Sequence, residues 1–214
     1  MITHTINNNI IVHEYPGQIY IIKNLISNSF CNKMVYIIKQ INFNNRLDYT
    51  PTNNIIGEIV SLMVLNKLCS SQLNLHEQDV LTKLIIIFYS IYIRSIVYTI
   101  HKINHIIFEN KIPGIQTVEI RKIDGATRNH VDGVFMDNSV RLLSCIIALN
   151  DDYTYGKIHF PNQNIDLKLE LGDILLFPPY WTHPHYTDKP EGNVRYTITF
   201  WFTVQNMAHN ISVI

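Results

Sequence analysis

The spacing of apolar positions divides the chain into two textures. From Asn24 to about Asn110 the pattern is mostly helical. Segment Ser27–Ile41 opens with cap-type Ser and Asn and then sets Phe30, Met34, Ile37 and Ile41 at helical spacing, which predicts a helix with one buried face. Segments Ile55–Leu68 and His76–Phe108 read the same way, parted by a turn-rich break at Cys69–Asn74. From Ile112 onward the period shortens to two. Thr117–Ile123 alternates, Val140–Leu149 is β-branched and apolar, and Ile165–Leu171 alternates strictly before the Gly172-Asp173 break. Ile174–Phe177 and Arg195–Phe202 follow, and Gln18–Lys23 reads as an early strand of the same sheet. Short strands separated by Gly, Pro and Asn turns predict an antiparallel sandwich or barrel.

Composition narrows the class. The 214 residues are enough for one domain with a buried core. Hydrophobic residues make up 47% and charged residues 16%, which excludes a disordered chain. Lys and Arg total 17, as do Asp and Glu, so no basic surplus favours electrostatic binding of nucleic acid. The chain has 36 Ile and 23 Asn against 3 Ala. We read this bias as the codon signature of an AT-rich virus, parasite or bacterium; it carries no chemistry.

Cys31, Cys69 and Cys145 are odd in number and lack CxxC spacing, which fits neither a disulfide scaffold nor a zinc ribbon. Met1–Val12 has no basic start and no long apolar run, so no signal peptide is expected. The most apolar stretch runs from Leu84 to Ile100 with Arg94 interrupting it; its unbroken part, Leu84–Ile93, is too short to span a bilayer and suits a buried helix. The expectation is a cytoplasmic protein in a reducing compartment, with no membrane or nucleic-acid partner.

Candidate chemistry sits in the C-terminal half. His130 and Asp132 are two apart, and His185 lies in Thr182-His183-Pro184-His185. Residues two apart in an extended segment point the same way, so His130 and Asp132 can share one metal ion. A further His completes a two-His, one-carboxylate set, which suits non-haem Fe(II). Alone, His-x-Asp is a weak signal, since a turn with a capping Asp reads the same. Arg195 opens a strand whose alternate positions are Arg195, Thr197, Thr199 and Trp201. With that face inside a barrel, the guanidinium fork can bind a carboxylate bidentately; on an outer face it is a solvated charge.

The blocks Asn129–Asp132, Ala148–Asp152, Gly156–Pro161, Gly172–Pro178, His183–His185 and Arg195–Phe202 together resemble the Fe(II)/2-oxoglutarate-dependent oxygenases, within them the prolyl 4-hydroxylase group. They occur in that family's order and at its spacing. The resemblance implies an α+β fold: a double-stranded β-helix, or jelly-roll, core with N-terminal supporting helices. The whole of 1–214 is then one catalytic domain, with about 1–110 mainly helical support and about 111–214 the core.

It implies a dioxygenase that hydroxylates prolyl residues of a protein or peptide and releases succinate and CO2. Its cofactors are Fe(II), 2-oxoglutarate and O2, with ascorbate as a further candidate. His130, Asp132 and His185 match the metal ligands, and Arg195 matches the residue that binds the far carboxylate of 2-oxoglutarate. The ten-residue spacing to Arg195 favours His185 over His183. His159 reads as a structural strand residue. Two tyrosines usual in the family are replaced, one by the Ile120–Lys122 region and one by Ala148. Ser144, Thr197, Thr199 and Trp201 are therefore the expected remaining contacts to the co-substrate. Alternatives within the class are another side chain, a nucleobase or a small molecule. Outside it, the alternative is a catalytically silent jelly-roll binding protein.

Overall fold

Extended segments rich in Ile, Val, Thr and aromatic residues build most of the computed structural model, which describes residues 1–7, 9–40, 55–61, 114–133, 135–136 and 139–205. In chain order these are β1 (Ile2–Asn7), β2 (Ile10–Tyr15), β3 (Ile19–Lys23), α1 (Asn28–Gln40), β4 (Ile55–Ser61), β5 (Gly114–His130), β6 (Phe135–Met136) and β7 (Ser139–Ala148). The C-terminal elements are β8 (Thr154–Tyr155), β9 (Ile158–Phe160), β10 (Ile165–Leu167), β11 (Ile174–Phe177), β12 (His185–Thr187), β13 (Pro190–Glu191) and β14 (Arg195–Gln205). The segment His76–Phe108, expected as one long helix or two, lies outside the described residues with its apolar stretch. Among the described residues, no helix is long and apolar enough to cross a membrane.

The main sheet runs β1-β2-β3-β11-β7-β14-β5-β12-β9-β10, with β4 on β5 and β6 on β7. The pairings are antiparallel, and the sheet curls into a half-barrel consistent with a jelly-roll core. The 17-residue β5 makes the corner. Its first part pairs with β14, from Gly114↔Thr203 to Ile123↔Arg195. Its last part pairs with β12, through Thr127↔Thr187 and His130↔His185. One strand thus brings its C-terminal end beside the strand that carries His185.

Both faces of β14 are buried, so the alternative of Arg195 as a solvated charge on an outer face does not hold. Tyr196, Ile198, Phe200 and Phe202 form one buried face, and Arg195, Thr197, Thr199 and Trp201 the other. Helix α1 reaches the outer side of this region: the Cys31 thiol lies 3.8 Å from the Ala148 carbonyl, and Lys39 stands over the Tyr196 ring. Ser27 caps the helix, its Oγ accepting from the Phe30 amide, as its cap-type start predicts. The buried stripe is Cys31, Met34 and Ile38 rather than one led by Phe30. Apolar residues at 30, 31, 34, 35, 37 and 38 permit two neighbouring stripes. The one that forms puts the small Cys31 where backbone approaches.

Three expectations need correction. The N-terminal part is not mainly helical where it is described: β1, β2 and β3 form an antiparallel run joined to β11. Ile55–Ser61 is a strand on β5, not the start of a helix. Its β-branched residues gain a ready ladder partner there, which outweighs a helical spacing that propensity supports only weakly. Third, the Ile165–Leu171 alternation yields a ladder only to Leu167. Its in-and-out burial continues, with Leu169 at 4% exposure. The ladder stops because the chain turns: Asp173 Oδ2 accepts from the Glu170 amide, and Gly172 sits at φ +84°, a conformation that costs glycine little. The expected strands Gln18–Lys23, Val140–Leu149, Ile174–Phe177 and Arg195–Phe202 appear as β3, β7, β11 and β14.

Candidate functional site

Sheet register brings His130, at the end of β5, directly opposite His185 on β12. Their rings lie 4.4 Å apart between centroids. Asp132 follows His130 by two positions, and its Oδ1 is 3.6 Å from His130 Nε2 and 3.9 Å from His185 Nε2. One ligand atom from each residue falls within 4.8 Å of the others. Gly133 lets this segment lie close to a neighbouring loop, since a Cβ there would sit 3.0 Å from the Pro179 carbonyl oxygen.

The tautomers follow from the hydrogen bonds. His130 Nδ1 is 2.7 Å from the Arg128 carbonyl oxygen, and His185 Nδ1 is 3.1 Å from the His183 carbonyl oxygen. A carbonyl only accepts, so each Nδ1 carries the proton and each neutral ring turns a bare Nε2 toward Asp132. Backbone carbonyls commonly orient metal-binding imidazoles in this way. Burial acts to lower the pKa of His130, but the adjacent Asp132 and the Arg128 carbonyl outweigh it and raise it. Burial dominates at His185 and lowers it. Burial acts upward on Asp132, yet His130, His185, the Ser144 hydroxyl and Arg121 hold it well below the usual carboxylate range.

His183 stands apart. Its Nε2–H donates to the Gly17 carbonyl, and its Nδ1 accepts from the Thr182 hydroxyl. Neither nitrogen has a lone pair to offer, so the residue ties the β2–β3 turn to the loop before β12.

Arg195 lies in the cavity that also holds His130, Asp132 and His185. It is 5% exposed. Its Nη1 donates to the Gly156 carbonyl at 2.9 Å and its Nη2 to Thr187 Oγ1 at 3.1 Å. Thr187 is itself fixed by Thr127, whose hydroxyl lies 3.0 Å away. Among the described residues no carboxylate pairs with Arg195, and its Nε is buried without a partner, as are the hydroxyls of Thr197 and Thr199. Burial depresses the Arg195 pKa. A buried cation with unpaired donors beside it is costly unless an anion meets it.

Ser144 and Trp201 do not line this cavity. Both donate to Asp132 Oδ2, at 2.6 and 3.1 Å. Sequence reasoning missed Thr127, Thr187 and Tyr153, all of which line it. Thr187 was findable, because it lies two residues after His185 and shares its face in an extended strand. Tyr153 stands in a turn and carries no periodic signal. Burial pushes its hydroxyl up, while nearby Arg195 acts in the opposite sense.

No protein-family model and no curated protein matches the chain. Solved structures do. A viral collagen prolyl hydroxylase of Paramecium Bursaria Chlorella virus-1, solved with 2OG, aligns with TM-score 0.55 and 14% identity, over 87% of this chain and 96% of that one. A Trichoplax adhaerens prolyl hydroxylase, solved with a hypoxia inducible factor peptide fragment, aligns with TM-score 0.55 and 15% identity, over 87% and 84%. A Pseudomonas putida prolyl-4-hydroxylase aligns with TM-score 0.57 and 15% identity, over 87% and 92%. The chain shares their fold.

Proposed function

We propose that the chain is an Fe(II)- and 2-oxoglutarate-dependent dioxygenase of the prolyl 4-hydroxylase group, acting on prolyl residues of a protein or peptide. The observation that carries this reading is the pairing, in one cavity, of a two-His, one-Asp cluster with a buried guanidinium that meets no carboxylate among the described residues. The donor set fits Fe(II), because two neutral imidazoles and one carboxylate suit that ion and leave coordination positions open. The unpaired Arg195 Nε and the Thr197 and Thr199 hydroxyls fit the far carboxylate of a dicarboxylic 2-oxo acid. The shared fold with prolyl hydroxylases supports the choice of substrate.

In this reading His130 Nε2, His185 Nε2 and Asp132 Oδ1 would hold the metal. When bound, Fe(II) with 2-oxoglutarate and O2 supplies oxidative decarboxylation, giving succinate and CO2 while one oxygen atom goes to the substrate. Ascorbate would serve to keep the iron reduced. The chain's own part is binding and shielding. The Arg128 and His183 carbonyls hold the imidazole tautomers. Gly156 and Thr187 aim the Arg195 fork, and Thr197 and Thr199 add neutral donors beside it. Phe177 packs edge-on against the His185 ring, keeping water from that side.

The test is incubation with Fe(II), 2-oxoglutarate and proline-bearing peptides. The expected outcome is succinate formation together with the mass of one added oxygen on a peptide. Succinate without peptide modification would move the substrate to another side chain, a nucleobase or a small molecule. No succinate from metal-loaded protein under any substrate would leave a silent binding protein.

A further inference from the structure

Asp132 divides its two carboxylate oxygens between different tasks. Oδ2 accepts two hydrogen bonds, from Ser144 Oγ and Trp201 Nε1, at 2.6 and 3.1 Å. Oδ1 faces the two imidazole Nε2 atoms. The donors are set by the sheet: Ser144 on β7 and Trp201 on β14 are register partners, so they stand side by side and reach the same oxygen. Ser144 is fully buried and Trp201 is 3% exposed.

A second layer holds the first. The Arg141 guanidinium stacks on the Trp201 ring, 3.7 Å from its centroid. Its Nη1 donates to the Asp132 backbone carbonyl at 2.7 Å. The Tyr180 hydroxyl in turn donates to the Arg141 carbonyl. Asp132 is therefore gripped at both its main chain and its side chain by residues from two other strands.

We propose, resting on the metal-binding reading above, that Ser144 and Trp201 are positioning residues that hold Asp132 to one-oxygen metal binding, with Arg141 fixing the indole. This departs from the expectation that they contact the co-substrate. Rotating Oδ2 toward the metal would break two charge-assisted hydrogen bonds at once, and these are stronger than neutral ones. A carboxylate bound through both oxygens would also take a coordination position that a chelating 2-oxo acid needs. The brace thus protects both the orientation of the ligand and the number of open positions.

Anaerobic equilibrium dialysis with Fe(II), in the absence of 2-oxoglutarate, tests this on the wild type, Ser144→Ala, Ser144→Thr and Trp201→Phe. Thermal unfolding of the metal-free proteins checks that each is folded. If Trp201→Phe does not fold, the Ser144 pair carries the test alone. Ser144→Ala and Trp201→Phe should weaken Fe(II) binding roughly ten- to a hundredfold, the range for partners that orient metal ligands. Ser144→Thr, which keeps the hydroxyl, should retain wild-type affinity. Unchanged Fe(II) affinity in the Ala and Phe variants would overturn the proposal. Equal loss in the Ser144 Ala and Thr variants would also overturn it. A wild type that binds no Fe(II) would sink the metal-binding reading itself, a result distinct from either.

Discussion

In the cluster of His130, Asp132 and His185, each imidazole gives its Nδ1 proton to a backbone carbonyl and keeps Nε2 bare. In the cluster of His159, Asp166 and Asp188, both ring nitrogens face carboxylates, Nδ1 at 2.6 Å from Asp166 and Nε2 at 2.9 Å from Asp188. Tyr186 stacks on the second ring, only one residue past His185. The same residue types on adjoining strands are thus prepared for different occupants. Two carbonyl acceptors leave lone pairs that a cation can use. Two carboxylates beside the ring instead favour its protonated form. Burial acts to lower the His159 pKa, but Asp188 and Asp166 outweigh it and raise it. The partner of each ring nitrogen, more than the count of His and Asp residues, separates a candidate metal site from an ion pair that favours a protonated ring.

The sharpest way to break that comparison is to truncate a member of each cluster. Asp132→Ala, His130→Ala and His185→Ala should each abolish Fe(II) retention in dialysis, with near-native circular dichroism. His159→Ala should leave Fe(II) binding intact. Each of the first three removes a ligand from a small set, and such sites tolerate the loss poorly. Lowering pH should also expel the metal. Protons compete for Nε2, so Fe(II) affinity should fall as pH drops through the ordinary histidine range. Fe(II) affinity that stays flat from pH 7.5 to about 5.5, where ordinary histidines titrate, would count against imidazole ligation.

A smaller effect sharpens the role of the cavity's far end. Arg195→Ala should raise the 2-oxoglutarate concentration needed for half-saturation about ten- to a hundredfold. A charge-assisted pair contributes roughly 1.5–3 kcal/mol, and about 1.4 kcal/mol is tenfold in affinity. Lys should restore part of it, being a point charge rather than a fork. Fe(II) affinity should stay near wild type, which dialysis checks on the same samples.

His183→Ala tests whether nearness in sequence to His185 implies a shared role. It should keep metal and turnover but lower stability by about 1–3 kcal/mol, the cost of leaving a buried partner unsatisfied. Denaturant unfolding reads the loss. Metal loss in this variant would instead mean that the two histidines exchange roles.

The smallest effect belongs to the His159 pair. Its folded-state pKa lies above the unfolded value, so its stabilisation is fully present below about pH 6.5 and is lost as pH rises through the folded value. Asp166 and Asp188 are 59% and 36% exposed, so solvent screening limits the effect to roughly 0.2–1 kcal/mol. Melting curves of wild type and His159→Gln should converge above that window and differ below it. Curves that stay parallel throughout would remove the ion pair from the stability of the fold.

Local pattern alone determined a good deal of this molecule. Short apolar, β-branched and aromatic runs between turn residues marked β3, β7, β11 and β14, because such residues suit the extended backbone, whose side chains alternate in direction. Two-residue spacing put His130 and Asp132 on one side for the same reason, and Ser27 announced the start of α1. What the pattern could not decide were the choices made between distant segments. Whether Ile55–Ser61 becomes helix or strand depends on β5 being there to pair with it. Whether Ser144 and Trp201 meet a co-substrate or Asp132 depends on the register of β7 against β14. The bare Nε2 of His185 and the doubly bonded His183 differ through a carbonyl at Gly17, brought close only when the β2–β3 turn packs beside the loop. Hydrogen bonds and ion pairs act over a few ångströms, so a residue's chemistry is settled by what folding places against it, while its facing direction is settled by its own backbone.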